Sequence, residues 1–141
     1  MEPISLDEEK GSDKDEGLLK GKKIFIIEDD VFLGSMLSQR ISSETTDVSL
    51  FKNGEDALKA LEKSIPNIII LDIFLPGMDG FEVLQNIRGQ EKTKNIPVLI
   101  VSNINQPDNK KRAETLSAQF LLKALVTPHD IVGKIKMMLK K

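Results

Sequence analysis

The sequence predicts an α/β fold: a single parallel sheet, doubly wound, with helices on both faces. Three observations carry this. Asn67-Ile68-Ile69-Ile70-Leu71-Asp72 is the most apolar stretch of the chain and shows no alternation, as expected of a strand buried on both faces. Ile24-Phe25-Ile26-Ile27 behaves in the same way and ends in Glu28-Asp29-Asp30. Between and beyond these runs, strand and helix patterns alternate five times, (βα)5. Such alternation implies right-handed crossovers within one sheet.

In chain order, Ile24–Ile27 is the first strand. Val31–Ile41 is a helix with Leu33, Leu37 and Ile41 at four-residue intervals, and Asp30 can cap it. Asp47-Val48-Ser49-Leu50-Phe51 alternates as a less buried strand should, and Asn53-Gly54 breaks it. Glu55–Lys63 places Ala57, Leu58 and Leu61 on one helical face, and Ile68–Leu71 is the third strand. A short helix, Gly80–Arg88, carries Phe81, Val83, Leu84 and Ile87; Pro97 then opens the fourth strand, Val98–Val101, closed by Ser102. Asp108–Leu116 reads as a polar helix whose basic run Lys110-Lys111-Arg112 is a solvated face, and Phe120–Leu122 as a fifth strand ending at Lys123. Thr127 as N-cap, Pro128 at the first helical position and Asp130 start the last helix. Ile131, Ile135, Met138 and Leu139 form its apolar stripe.

Composition bounds the function. At 141 residues the chain fits one domain and a tail. The absence of cysteine excludes disulfides and thiol chemistry. No apolar run approaches the roughly 20 residues that span a bilayer, so a cytoplasmic protein without membrane contact is expected. Residues 1–20 hold seven acids and three lysines, whereas residues 21–141 carry 17 basic and 15 acidic residues. Residues 1–21 are therefore expected to be a disordered acidic tail and residues 22–141 the folded domain. The near-balanced charge of that domain argues against a nucleic-acid partner.

Four groups of polar residues end four strands: Glu28 and Asp29 the first, Asp72 the third, Ser102 the fourth and Lys123 the fifth. The carboxyl edge of an open parallel sheet is where ligands bind. Paired carboxylates suit Mg2+, which takes oxygen ligands in octahedral array. A carboxylate can also serve as nucleophile toward phosphorus, and a hydroxyl and an ammonium suit the phosphoryl oxygens. His129, the lone histidine, follows a proline in a helical first turn, a poor place for a phosphodonor.

The spacing resembles that of the receiver domain of two-component response regulators, from residue 22 to the end. Lys23-Ile24-Phe25-Ile26-Ile27-Glu28-Asp29-Asp30 is similar to that family's opening strand and acidic pair. Leu71-Asp72-Ile73-Phe74-Leu75-Pro76-Gly77-Met78-Asp79-Gly80 is similar to its phosphoacceptor motif, Ser102 stands where the family keeps Ser or Thr, and Ala118–Lys123 leads to its characteristic lysine. The resemblance implies a flavodoxin-like strand order 2-1-3-4-5, with the site at the switch between strands one and three. It further implies phosphorylation of Asp72, with Mg2+ held by Glu28 (through water), Asp29, Asp72 and the Phe74 backbone carbonyl. Ser102 and Lys123 would grip the phosphoryl group, and Ser102 and Phe120 would act as the switch pair. The expected function is a stand-alone signalling switch without an output domain. Its donor would be a histidine kinase or a histidine phosphotransfer protein, its target a separate protein, and its state monomer or weak dimer. It would be no enzyme beyond its own phosphoryl transfer and dephosphorylation.

Two departures stand out. Ala124 follows Lys123 where the family usually has proline after a cis bond, and Asn103 replaces a small residue where it could crowd the donor. Phe74 and Ile104, each two residues past a site residue, are apolar and expected to exclude attacking water. The alternative reading is a degenerate receiver that binds a protein constitutively. An aspartyl-phosphate hydrolase would want an acid where Phe74 stands.

Overall fold

The computed structural model describes residues 17–45, 47–103 and 106–140. The acidic segment up to residue 16 and Ile104 lie outside the described residues. Five strands and five helices alternate: β1 (Lys23–Ile27), α1 (Val31–Ser42), β2 (Asp47–Phe51), α2 (Gly54–Leu61), β3 (Ile68–Leu71), α3 (Gly80–Arg88), β4 (Val98–Ser102), α4 (Pro107–Thr115), β5 (Gln119–Leu122) and α5 (Pro128–Leu139), with a 3-10 turn at Lys123–Leu125. The sheet is wholly parallel in the order β2-β1-β3-β4-β5, as the sequence predicts.

Alternate residues of the central strands supply two cores, because successive side chains of a strand point to opposite faces. Phe25, Ile27, Ile69, Leu71, Val98 and Ile100 pack with side chains of α2, α3 and α4. Ile24, Ile26, Ile68, Ile70, Leu99 and Val101 pack with those of α1 and α5. Both sets are buried, which is why β1, β3 and β4 read as unbroken apolar runs. Leu19, within the stretch read as tail, is fully buried in the second core.

Helix starts follow their caps. Asp30 accepts from Leu33 N at 3.2 Å, and Asn53 from Asp56 N at 2.8 Å. Reciprocal capping boxes join Asp79 with Glu82 and Thr127 with Asp130. Among these five helices α4 alone lacks a side-chain cap, and its one buried residue is Ala113. Its basic run Lys110-Lys111-Arg112 is exposed, and the Arg112 guanidinium also lies 4.3 Å from the centre of the Phe81 ring. Arg88 ties α4 from below, donating to the carbonyls of Lys94, Ile96, Leu116 and Ser117. No helix among the described residues is long and apolar enough to cross a membrane.

The loop after β3 depends on Gly80. A Cβ there would meet the Asp72 backbone oxygen at 2.3 Å and Ile73 Cα at 2.6 Å, so α3 can start this close to the strand end only with glycine. Gly80→Ala is expected to cost about 1–3 kcal/mol or more by overpacking. Gly133→Ala, in open space on α5, should gain roughly 0.5–1 kcal/mol in helix propensity. Urea unfolding midpoints of the two variants, moving in opposite directions, check the pair.

Candidate functional site

Ladder hydrogen bonds that run one residue past the strands place the acids. Glu28 N donates to Phe51 O at 2.9 Å and Asp72 N to Ile27 O at 3.0 Å, so both carboxylates leave the backbone at the β1/β3 edge. Glu28 and Asp72 are only 5% and 4% exposed, and Asp29 is exposed. Oxygens of all three acids lie within 4.8 Å of one another. Glu28 Oε2 accepts from Asp30 N at 3.0 Å, and Asp72 Oδ1 accepts from Phe74 N at 3.2 Å.

Lys123 reaches this cluster from the turn after β5. Its Nζ lies 3.0 Å from Glu28 Oε1 and 2.9 Å from Asp72 Oδ2. Ser102 ends β4, beside β3 in the sheet; it is fully buried, and its Oγ has no hydrogen-bond partner among the described residues. An unpaired buried hydroxyl costs about 1–3 kcal/mol, and this one is free to bond an added acceptor. Phe74 is 60% exposed on the loop beyond Asp72. Phe120 is half-buried, packs against the core under α2–α4, and lines a groove of about 500 Å3 with Lys110, Glu114, Leu122, Leu125 and Val126.

Charge is imperfectly balanced here. Burial, with the Asp72 charge adding to it, pushes the Glu28 carboxyl up to about 7 against the opposing pull of Asp30 N–H and Lys123. Burial by itself would depress the Lys123 ammonium, but its bonds to Asp72 and Glu28 outweigh that and hold its pKa above the ordinary lysine range. An oxygen-only set of two buried carboxylates and one exposed fits a hard divalent cation such as Mg2+, which keeps several waters and takes few protein ligands.

Glu28, Asp29, Asp72 and Lys123 thus converge as the sequence suggests, with Ser102 at the same edge of the sheet. His129 is exposed on α5, with Nδ1 3.3 Å from an Arg40 nitrogen. One contact escapes the sequence reading: Ala124 N donates to Asn103 Oδ1 at 2.8 Å. The peptide bonds of the described residues are all trans, Lys123–Ala124 included. An amide side chain just after Ser102, opposite an N–H that proline would lack, is the signal that could have exposed it.

The ionisation of Glu28 carries a pH prediction. The unfolded chain releases this proton near 4.5 and the native protein near 7. Stability from this group is therefore complete below the lower value and is lost as pH rises through the higher one. In metal-free buffer, the wild type should lose stability between pH 4.5 and about 7 relative to Glu28→Gln, which stays neutral. Urea unfolding in EDTA across that range measures the difference; a constant gap between the two proteins would mean that Glu28 ionises normally.

Residues 24–136 match the family model of the response regulator receiver domain. Among curated proteins, the chain is 26% identical over 120 residues to the phosphate regulon transcriptional regulatory protein PhoB of Rhizobium meliloti, covering 84% of this chain and 52% of that protein. It is 28% identical over 120 residues to the alkaline phosphatase synthesis transcriptional regulatory protein PhoP of Bacillus subtilis, covering 85% and 49%. The chain spans about half the length of these relatives. A DNA-binding response regulator of the LuxR family from Staphylococcus aureus superposes with a TM-score of 0.76 at 32% identity, over 84% of this chain and 99% of that one. A response regulator receiver domain protein (CheY-like) from Methanospirillum hungatei shares the fold, with a TM-score of 0.76 at 24% identity over 84% and 93%. The matched span holds Glu28, Asp29, Asp72, Ser102 and Lys123 together, and this chain belongs to the family of response regulator receiver domains.

Proposed function

We propose that this chain is a phosphorylation switch in which Asp72 accepts a phosphoryl group from a phosphohistidine on a histidine kinase or phosphotransfer protein. A carboxylate oxygen of Asp72 attacks phosphorus, the P–O bond forms as the P–N bond breaks, and the imidazole leaves with a proton from solvent. The observation that carries this reading is the buried Ser102 Oγ, without a partner among the described residues, at the same edge as the Lys123–Asp72 pair. A hydroxyl and an ammonium are the two donors that an aspartyl phosphate's oxygens need.

Glu28, Asp29 and Asp72, with the Phe74 carbonyl, would hold Mg2+, which supplies positive charge to the oxygens of the transferring group. Lys123 already stands between Glu28 and Asp72 and can follow the charge onto the phosphoryl group. Ser102, drawn toward the new oxygens, would leave space at the end of β4 for Phe120 to turn inward. Phe120 lines the α4–β5 groove, so its movement would reshape that surface for a partner protein, a local charge change biasing a two-state element. The thin anchoring of α4, uncapped and with only Ala113 buried, supports that helix as the mobile part.

We read the domain as acting in the cytoplasm through protein contacts, as a monomer or weak dimer, without a nucleic-acid partner. The near balance of 17 basic and 15 acidic residues over 21–141 supports protein contacts over nucleic acid. The constitutive-binding alternative rested on Ala124, yet Lys123 reaches both carboxylates with alanine there.

Intact mass after incubation with acetyl phosphate and Mg2+ tests the proposal. One added phosphoryl group is expected, absent from Asp72→Asn and from an EDTA control. No adduct with either acetyl phosphate or a phosphohistidine protein would leave constitutive binding as the function. Phe74, exposed beside Asp72, should shield the acyl phosphate from water, so Phe74→Asn is expected to shorten the phosphoryl half-life. An equal half-life in the two proteins would remove Phe74 from that role.

A further inference from the structure

We propose that Asn103 is a positioning residue of the phosphoryl site: its carboxamide oxygen latches the turn that carries Lys123 and couples that turn to Ser102. The inference rests on the phosphoacceptor reading above and adds to it a part that neither the family match nor the acidic cluster supplies.

The β4–β5 ladder ends at the pair Ser102↔Leu122. Beyond it the chains part, β4 running toward α4 and β5 folding into the Lys123–Leu125 turn. The next inward donor, Ala124 N–H, is taken by Asn103 Oδ1 at 2.8 Å. A side-chain oxygen thus prolongs by one rung the connection that the backbone carbonyls can no longer make. Since the partner is an N–H, the oxygen of the carboxamide must face it, which fixes the orientation of Asn103.

Lys123 lies between two held residues, Leu122 in the ladder and Ala124 in the latch. Its ammonium must cross to acids 51 residues away in sequence at Asp72, and it makes bonds of 2.9 and 3.0 Å there on a flexible four-carbon stem. A fixed backbone origin lowers the conformational entropy lost in aiming that stem. Asn103 also follows Ser102 directly, so a displacement of Ser102 toward phosphoryl oxygens pulls on the same carboxamide. One side chain then links the movements of the two phosphoryl-binding donors. The arrangement requires a residue with an N–H at 124, which alanine has and proline lacks. Both partners are exposed, so the bond competes with water and its effect is on placement more than on folding.

Three variants test the latch: Asn103→Ala and Asn103→Leu remove the acceptor, the second at similar volume, and Asn103→Asp keeps it. Amide exchange at Ala124 and NMR relaxation of the Lys123 side chain read the latch without phosphoryl chemistry. Phosphorylation by acetyl phosphate with Mg2+ reads its consequence. Loss of one hydrogen bond of ordinary strength should raise Ala124 exchange by roughly 3- to 10-fold in the Ala and Leu variants and slow phosphorylation by a similar factor. Asn103→Asp should retain the protection at Ala124. If Asn103 only crowds the incoming donor, Asn103→Ala will be phosphorylated faster than wild type, and the proposal fails. It fails too if Ala124 exchange or Lys123 order is unchanged in Asn103→Ala. A wild type that takes up no phosphoryl group would sink the phosphoacceptor reading instead, with exchange and relaxation still deciding the latch.

Discussion

The contact on which the site depends is the Lys123 ammonium held between the Glu28 and Asp72 carboxylates. Two buried acids this close repel each other, and each costs several kcal/mol to take out of water. One ammonium from the far side of β4 offsets part of that cost and draws three strand ends together. The offset is incomplete, since Glu28 holds its proton to about 7. A site in this condition has favourable work left for a further positive charge near the acids and for further negative charge near Lys123 and Ser102. A divalent cation and a phosphoryl group, as in the proposed function, would meet those two demands.

The rest of the fold keeps that edge rigid on one side and yielding on the other. Toward β1 and β3, ladder bonds to Glu28 and Asp72 and the close approach of Gly80 to the Asp72 carbonyl leave the acids little freedom. Toward β4 and β5, the supports are fewer: α4 has no side-chain cap, buries only Ala113, and is steadied by Arg112 on the Phe81 ring and by Arg88 beneath its last turn. The aromatic Phe120 joins the two regimes, in contact with the core and at the wall of the α4–β5 groove.

The sequence and tertiary contacts divided the information along physical lines. The strands β1, β3 and β4 were legible because burial on both faces leaves an unbroken apolar run, and the helix starts because Asp30, Asn53, Asp79 and Thr127 use local hydrogen bonds to cap them. The acids, hydroxyl and lysine were legible as strand-end residues, since position along a parallel sheet places them on one edge. Their family motif named them as a set. Arg112 is exposed as the basic run suggests, but its contact with the Phe81 ring was not legible because nothing local marks Phe81 as its neighbour.

What the sequence by itself determined, then, is the order of elements and the two-sided sheet, which follow from periodicity and capping, and the place of the candidate site residues at the strand ends. Only the tertiary structure decided how the charges pair. That Lys123 bridges Glu28 and Asp72, that Ser102 Oγ is buried without a partner among the described residues, and that Ala124 finds its acceptor in Asn103 depend on side chains meeting across strand ends 21 to 95 residues apart in the chain for the bonded pairs. Such distances are set by the twist and register of the whole sheet, and no local pattern of residues encodes them.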